Sequence, residues 1–197
     1  PDVTVLVVDN DAAGTGHTYC RTIRDRYRWK LRSCIEKERG VSFARNTAVR
    51  LALPHSEFVA FIDDDETADA HWLDGLLACL REHRADVVTG PVIPRFRGRN
   101  HPPWIDHCEV ITRRRYPTGT CMEGAITGNV LVRSDVLARY PEPFDTRFAY
   151  SGGEDSHLFR RLVRDGFRIV YCNEAQIRES VPASRQTLRY ALGRTLR

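Results

Sequence analysis

The stretch FVAFIDDDETA, residues 58–68, decides how the rest of this chain is read. Phe58-Val59-Ala60-Phe61-Ile62 is an unbroken apolar run, the mark of a strand buried on both faces. It ends in Asp63-Asp64-Asp65-Glu66. Three adjacent aspartates repel one another unless a cation compensates them. In an extended chain Asp63 and Asp65 point to the same side. Hard cations such as Mg²⁺ or Mn²⁺ take oxygen ligands, often one or two carboxylates plus the phosphates of a substrate. A D-x-D behind a buried strand therefore suggests a metal that bridges the protein and a diphosphate. Alone, the motif fits a solvated acidic turn or a helix N-terminus equally well.

Outward from this point, apolar runs alternate with helical segments. Residues 3–8 (VTVLVV) read as a buried strand ending in Asp9-Asn10-Asp11 and a glycine-containing loop, and 31–36 (LRSCIE) as a second strand. Residues 41–53 have helical spacing at Val41, Ala44, Ala48, Leu51 and Ala52, with Ser42 as the candidate N-cap. Residues 70–83 predict an amphipathic helix carrying Trp72, Leu73, Leu76, Leu77 and Leu80, and 85–93 (ADVVTGPVI) a strand. Residues 95–125 have no clear period and are expected to form a long functional loop. A strand at 129–133, a short helix at 135–140, a helix at 154–165 and a strand at 167–172 complete the pattern. This alternation predicts one α/β domain over residues 1–197, with a mostly parallel sheet between helical layers. Ligands of open α/β sheets lie outside the carboxyl ends of the strands. Asp9 and the aspartate triplet both fall there.

Composition narrows the class. The 197 residues are 42% hydrophobic and 28% charged, enough for a sizeable core, and no apolar run approaches the roughly 18 residues that cross a bilayer. The opening PDVTVLVVDND lacks the charged start of a secretory signal. Net charge is +4, but all basic residues except Lys30 and Lys37 are arginines scattered between acidic ones. That reads as compositional bias, with no nucleic-acid partner. The six cysteines form no C-x-x-C pair or metal-ligand spacing, and reduced thiols in a cytosol are expected.

Five segments, in order, resemble the family 2 glycosyltransferases of the GT-A nucleotide-sugar fold, a three-layer α/β/α sandwich. VLVVDND resembles the strand whose terminal Asp contacts the nucleotide base. GVSFARNTAV resembles the Gly-x-x-x-Ala-Arg-Asn segment, FIDDDE the D-x-D, TGNVLVRSDVL the acceptor-side strand and GGEDSHLFRRL the Glu-Asp motif. The resemblance spans nearly the whole chain. It implies an inverting enzyme that moves one sugar from a nucleotide-diphosphate sugar to an acceptor hydroxyl, in bacterial surface or exopolysaccharide synthesis.

By that resemblance Asp63 and Asp65 hold Mn²⁺ or Mg²⁺, Asp64 supports the donor and Asp9 faces the base. Arg45 and Asn46 shape the donor pocket. Asp155 is the general base, with Glu154 as the next candidate. Ordinary local bonding of Arg45 and Asn46, and helix-dipole placement of Glu154 and Asp155, are the plain alternatives. The acceptor is a glycan or a lipid-linked glycan. The family's first, central strand would precede the segment that opens this sequence, so the chain is expected to be a catalytic domain truncated at its N-terminus and missing that strand. Rival classes are a nucleotidyltransferase and a non-catalytic nucleotide- or carbohydrate-binding module.

Several residues stay open. His157 follows Asp155 by two, and surface or core placement suits it better than a catalytic one. Glu179, in QIRESVP, either approaches the metal or is a plain strand-end carboxylate. Trp104 either stacks on a sugar or nucleotide face or packs in its loop. QTLRY (186–190) is a faint version of the Q-x-x-R-W of processive synthases, without the Trp. In 184–197, Leu188, Leu192 and Leu196 recur at i+4 amid Arg185, Arg189, Arg194 and Arg197. That helix either docks its Leu stripe on its own domain or lies on an anionic membrane face. A cytoplasmic enzyme, peripheral at the inner membrane face, is the corresponding expectation.

Overall fold

The structure is a computed structural model and describes residues 2–97 and 101–195. Its contacts divide the chain into two compact units, Pro1–Val59 with Ser134–Leu158, and Ala60–Arg133 with Phe159–Arg197.

In the first unit, β1 (Thr4–Asp9) pairs in parallel with β2 (Lys30–Ile35), from Thr4 opposite Lys30 to Asp9 opposite Ile35. The loop expected after Asp9 is short, because α1 (Thr15–Ile23) begins behind Gly14, which takes a left-handed φ of 63°. This helix is hard to read from sequence: Cys20 is its one buried residue, so it has little apolar stripe. Helix α2 (Val41–Ala52) packs on β1 and is capped by Gly40, not Ser42. Ser42 is already helical and buried, and its hydroxyl donates to the Asp145 carbonyl at 3.1 Å. Strand β3 (Phe58–Phe61) then carries the chain into the second unit.

That unit holds a sheet in the order β3-β7-β5-β8, built from β5 (Val87–Thr89), β7 (Val130–Arg133) and β8 (Ile169–Tyr171). β5 runs antiparallel to β7 and parallel to β8. All residues of β5 and β8, and Val130, Leu131 and Val132 of β7, are buried, as their apolar runs require. Helix α3 (Trp72–Glu82) packs on β5 and β7 through Leu76, Cys79 and Leu80. A second sheet, β4-β9-β6, comprises β4 (Glu66–Ala68), β6 (Val92–Phe96) and β9 (Ile177–Val181), with β9 antiparallel to β4 and parallel to β6.

The single strand expected at 85–93 is therefore two strands, β5 and β6, in different sheets. Fully buried Asn129 holds the break open. Its amide donates to the Pro91 and Ala175 carbonyls at 2.9 and 2.7 Å, and its oxygen accepts from the Trp72 indole at 2.7 Å. The expected loop at 95–125 contains a 3₁₀ turn (Pro103–His107) and a short helix, α4 (Glu109–Thr112). The expected helix at 135–140 is the short α5 (Ser134–Leu137). Helix α6 (Glu154–Arg164) starts where its Glu-Asp pair predicts.

The C-terminal segment turns helical at α7 (Leu188–Thr195), after a 3₁₀ turn at Ala183–Arg185. It docks by Ala191, which joins Ile105 and Ile111 in a small core, with Trp104 packed against them. Leu188 and Leu192 stay 62% and 63% exposed, so the Leu stripe does not dock on its own unit. Small Ala191 allows the helix backbone to approach, while Leu188 and Leu192, three residues before it and one after, lie together on an exposed side of the helix. Leu196 and Arg197, the end of the expected stripe, lie outside the described residues. Among the described residues, no helix is long and apolar enough to cross a membrane.

Candidate active site

At the carboxyl end of β1, Asp9 binds backbone rather than facing open solvent. Its Oδ1 accepts the Asp11 amide at 2.9 Å and its Oδ2 the His17 amide at 2.8 Å, in the first turn of α1. The next residue, Asn10, carries no sequence signal of its own. Its Nδ2 donates to the Glu36 and Glu38 carbonyls at 2.9 and 2.7 Å, and its Oδ1 accepts the Gly40 amide at 2.7 Å. Two consecutive side chains thus fix the loops beyond β1 and β2. Glu36, at the end of β2, accepts from Thr47 at 2.5 Å, and that bond holds its carboxyl below the usual range.

Helix α2 braces the approach to α6 within the same unit. Asn46 closes a two-way clamp on the Phe144 backbone, accepting its amide at 2.9 Å and donating to its carbonyl at 2.7 Å. Arg45 lies over the Phe144 ring, 5.8 Å from its centroid, and forms an ion pair with Glu154. The Val41 amide donates to the Ala149 carbonyl at 3.3 Å. So Arg45 and Asn46, expected at the donor, bond long-range to the segment leading into α6.

The Glu154-Asp155 pair separates into two environments. Glu154 is 6% exposed and turned onto Arg45, with its Oε2 buried and without a partner among the described residues. Asp155 is half-buried, and its Oδ1 accepts the Ser156 amide at 2.6 Å. Gly152 and Gly153, at φ 76° and 95°, make the turn that presents the helix N-terminus, a conformation other residues rarely adopt. The His157 ring packs against Phe148, with centroids 5.1 Å apart and planes tilted by 35°.

The acidic segment of the second unit is a turn, not an extended strand: the Glu66 amide donates to the Asp63 carbonyl at 3.2 Å, with Asp64 and Asp65 at the corner. The alternation expected for Asp63 and Asp65 does not apply across such a corner, though all three aspartates are exposed. Glu66 turns back, its Oε2 accepting the Asp63 amide at 2.9 Å. In the β4–β9 register Glu66 lies opposite Glu179. Like charges placed so are unfavourable, and two features relieve them. Burial pushes the Glu66 carboxyl up to about 8, with the Asp63 and Glu179 carboxylates adding to the rise, so it stays protonated at neutral pH. Glu179 is compensated by Arg113 at 3.2 Å and Arg185 at 3.1 Å. Arg185 also reaches Asp65 at 3.2 Å.

Among the described residues, no three His, Cys, Asp or Glu side chains converge as an all-protein metal cage. The donor set fits a different kind of site. Asp65 is exposed and already draws a guanidinium, and a hard cation held by one or two carboxylates takes its remaining ligands from phosphates and water.

An α/β chain with carboxylates beyond its strand ends has counterparts of known structure. S. aureus TarS 1-349 in complex with UDP aligns with a TM-score of 0.67 over 91% of this chain and 52% of that one, at 19% identity. GalNAc-T7 with UDP, GalNAc and Mn²⁺ aligns with a TM-score of 0.69 over 96% of this chain and 40% of that one, at 11% identity. The fold is that of the GT-A glycosyltransferases. All of residues 1–197 match the profile described as "Glycosyltransferase like family 2", and the chain belongs to that family. It is 30% identical over 194 residues to the succinoglycan biosynthesis protein ExoM of Rhizobium meliloti (strain 1021), covering 98% of this chain and 62% of that protein.

Proposed function

We propose that this chain is an inverting glycosyltransferase that moves a single sugar from a nucleotide-diphosphate sugar to a hydroxyl of a glycan or lipid-linked acceptor, in bacterial exopolysaccharide synthesis. One observation carries this reading beyond family membership. Of the two carboxylates that open α6, Glu154 is committed to Arg45, and Asp155 stays accessible on a helix N-terminus. An accessible carboxylate is what a general base requires.

In this reading Asp155 takes the proton of the acceptor hydroxyl as that oxygen bonds to the anomeric carbon. The carbon's bond to the diphosphate oxygen breaks on the opposite face, so the configuration inverts. Arg45, Asn46 and Glu154 are positioning residues that hold the segment leading to Asp155. Asp9 orders the loop on which the nucleoside lies, and Asp64 supports the donor. Asp63 and Asp65 would hold Mn²⁺ or Mg²⁺, which supplies charge compensation to the departing diphosphate. The UDP, UDP-GlcNAc and Mn²⁺ named with the structural relatives support this ligand class. Exposed Leu188 and Leu192 beside exposed Arg189 and Arg194 support peripheral contact with an anionic membrane surface.

The test is a thermal-shift screen of nucleoside diphosphates and nucleotide sugars with and without Mn²⁺. Asp65→Ala is expected to lose the Mn²⁺-dependent part of donor stabilisation while keeping its fold. Unchanged donor affinity in that variant refutes the cation assignment.

A further inference from the structure

Arg185 stands between two carboxylates of different kinds. Its Nη1 donates at 3.2 Å to Asp65, on the exposed acidic turn, and at 3.1 Å to Glu179, on β9. Glu179 has a second partner in Arg113, whose Nη1 is buried without a partner among the described residues. Glu179 is therefore well compensated without Arg185, whereas Asp65 has no other partner of opposite charge among the described salt bridges. A planar guanidinium resting on Asp65 supplies the positive charge that a divalent cation would bring to the same carboxylate. The two compete for one anion.

We propose that Arg185 is the placeholder of the cation site. It neutralises Asp65 in the donor-free protein and yields that carboxylate when the cation arrives. It then stays beside Glu179, which Arg113 already compensates, as a surplus positive charge that favours the donor's diphosphate. The inference rests on the proposed cation role of Asp65 and gives it an order: the cation binds weakly alone and tightly with a nucleoside diphosphate. Removing a unit charge some 4 Å from a solvent-exposed anion changes its affinity for a cation by about fivefold. Losing that charge weakens the diphosphate's hold by a similar factor.

Free Mn²⁺, counted by electron paramagnetic resonance, tests this on purified protein with and without UDP. Arg185→Gln is expected to bind Mn²⁺ alone about fivefold tighter than the wild type, and UDP in saturating Mn²⁺ more weakly. Arg185→Lys, which keeps the charge, is expected to stay near the wild type on both axes. A merely structural role would move both affinities the same way. If Asp65→Ala abolishes Mn²⁺ binding but Arg185→Gln binds Mn²⁺ no tighter, the placeholder is refuted and the cation site stands. If Asp65→Ala binds Mn²⁺ as the wild type does, the cation reading falls, and this inference with it.

Discussion

Replacing Glu66 with glutamine removes a carboxyl that the fold holds in an unfavourable place, and the consequence depends on pH. In the folded protein its carboxyl is raised to about 8 from an ordinary 4.5, chiefly by burial. A raised value means that the folded state holds the proton more tightly than the unfolded chain does. Stability from this group is thus full below about 4.5 and is lost as pH rises through about 8. At about 1.4 kcal/mol per tenfold change in proton affinity, the gap amounts to at most about 5 kcal/mol. Glu66 is only partly buried, and solvent screening reduces that to roughly 1–3 kcal/mol. A glutamine at this position would carry no charge at any pH and would keep an oxygen for the Asp63 amide. Urea unfolding in EDTA, which keeps cations off the neighbouring aspartates, is the assay. Glu66→Gln should stabilise the protein by roughly 1–3 kcal/mol near pH 8.5 and by much less near pH 5. A difference that is equal at the two pH values would refute the reasoning.

Asp155→Asn keeps shape but cannot take a proton, so turnover with a nucleotide-sugar donor should fall roughly 10²- to 10⁴-fold at unchanged donor affinity. Retained turnover would move the base elsewhere, and a non-catalytic binding module would show no effect at all. Arg45→Ala leaves Glu154 buried without its partner and should cost about 3–5 kcal/mol in unfolding experiments. The double variant Arg45→Met, Glu154→Gln should recover most of that, because no unpaired charge is left inside. Burial pushes the Cys79 thiol up to about 12, so it should resist iodoacetamide in the native protein while exposed Cys121 is alkylated, as peptide mass mapping would show. Leu188→Ser with Leu192→Ser should abolish co-sedimentation with anionic liposomes without lowering thermal stability. Equal binding before and after substitution would remove the membrane role.

Local pattern was enough for much of this protein. The apolar runs around Thr4–Asp9, Phe58–Phe61 and Val130–Arg133 are strands, although only the last is buried along most of its length, and the segments read as helices form α2, α3 and α6. The order of the five motifs was likewise visible and leads to the family that the whole-chain match shows. Tertiary structure decided what the polar groups do. Sequence shows Glu154 and Asp155 as equal neighbours, and only Arg45, 109 positions away, buries one and leaves the other open. It offers Ser42 as a cap, and only the Asp145 carbonyl, 103 residues on, draws its hydroxyl into the interior. Asn129 splits one apparent strand into two from 38 residues away, and Arg185 meets Asp65 across 120. Apolar burial is non-directional and repeats with the local backbone period, so one segment suffices to reveal it. A polar side chain's role depends on a specific partner at hydrogen-bond distance, and folding alone brings such distant partners together.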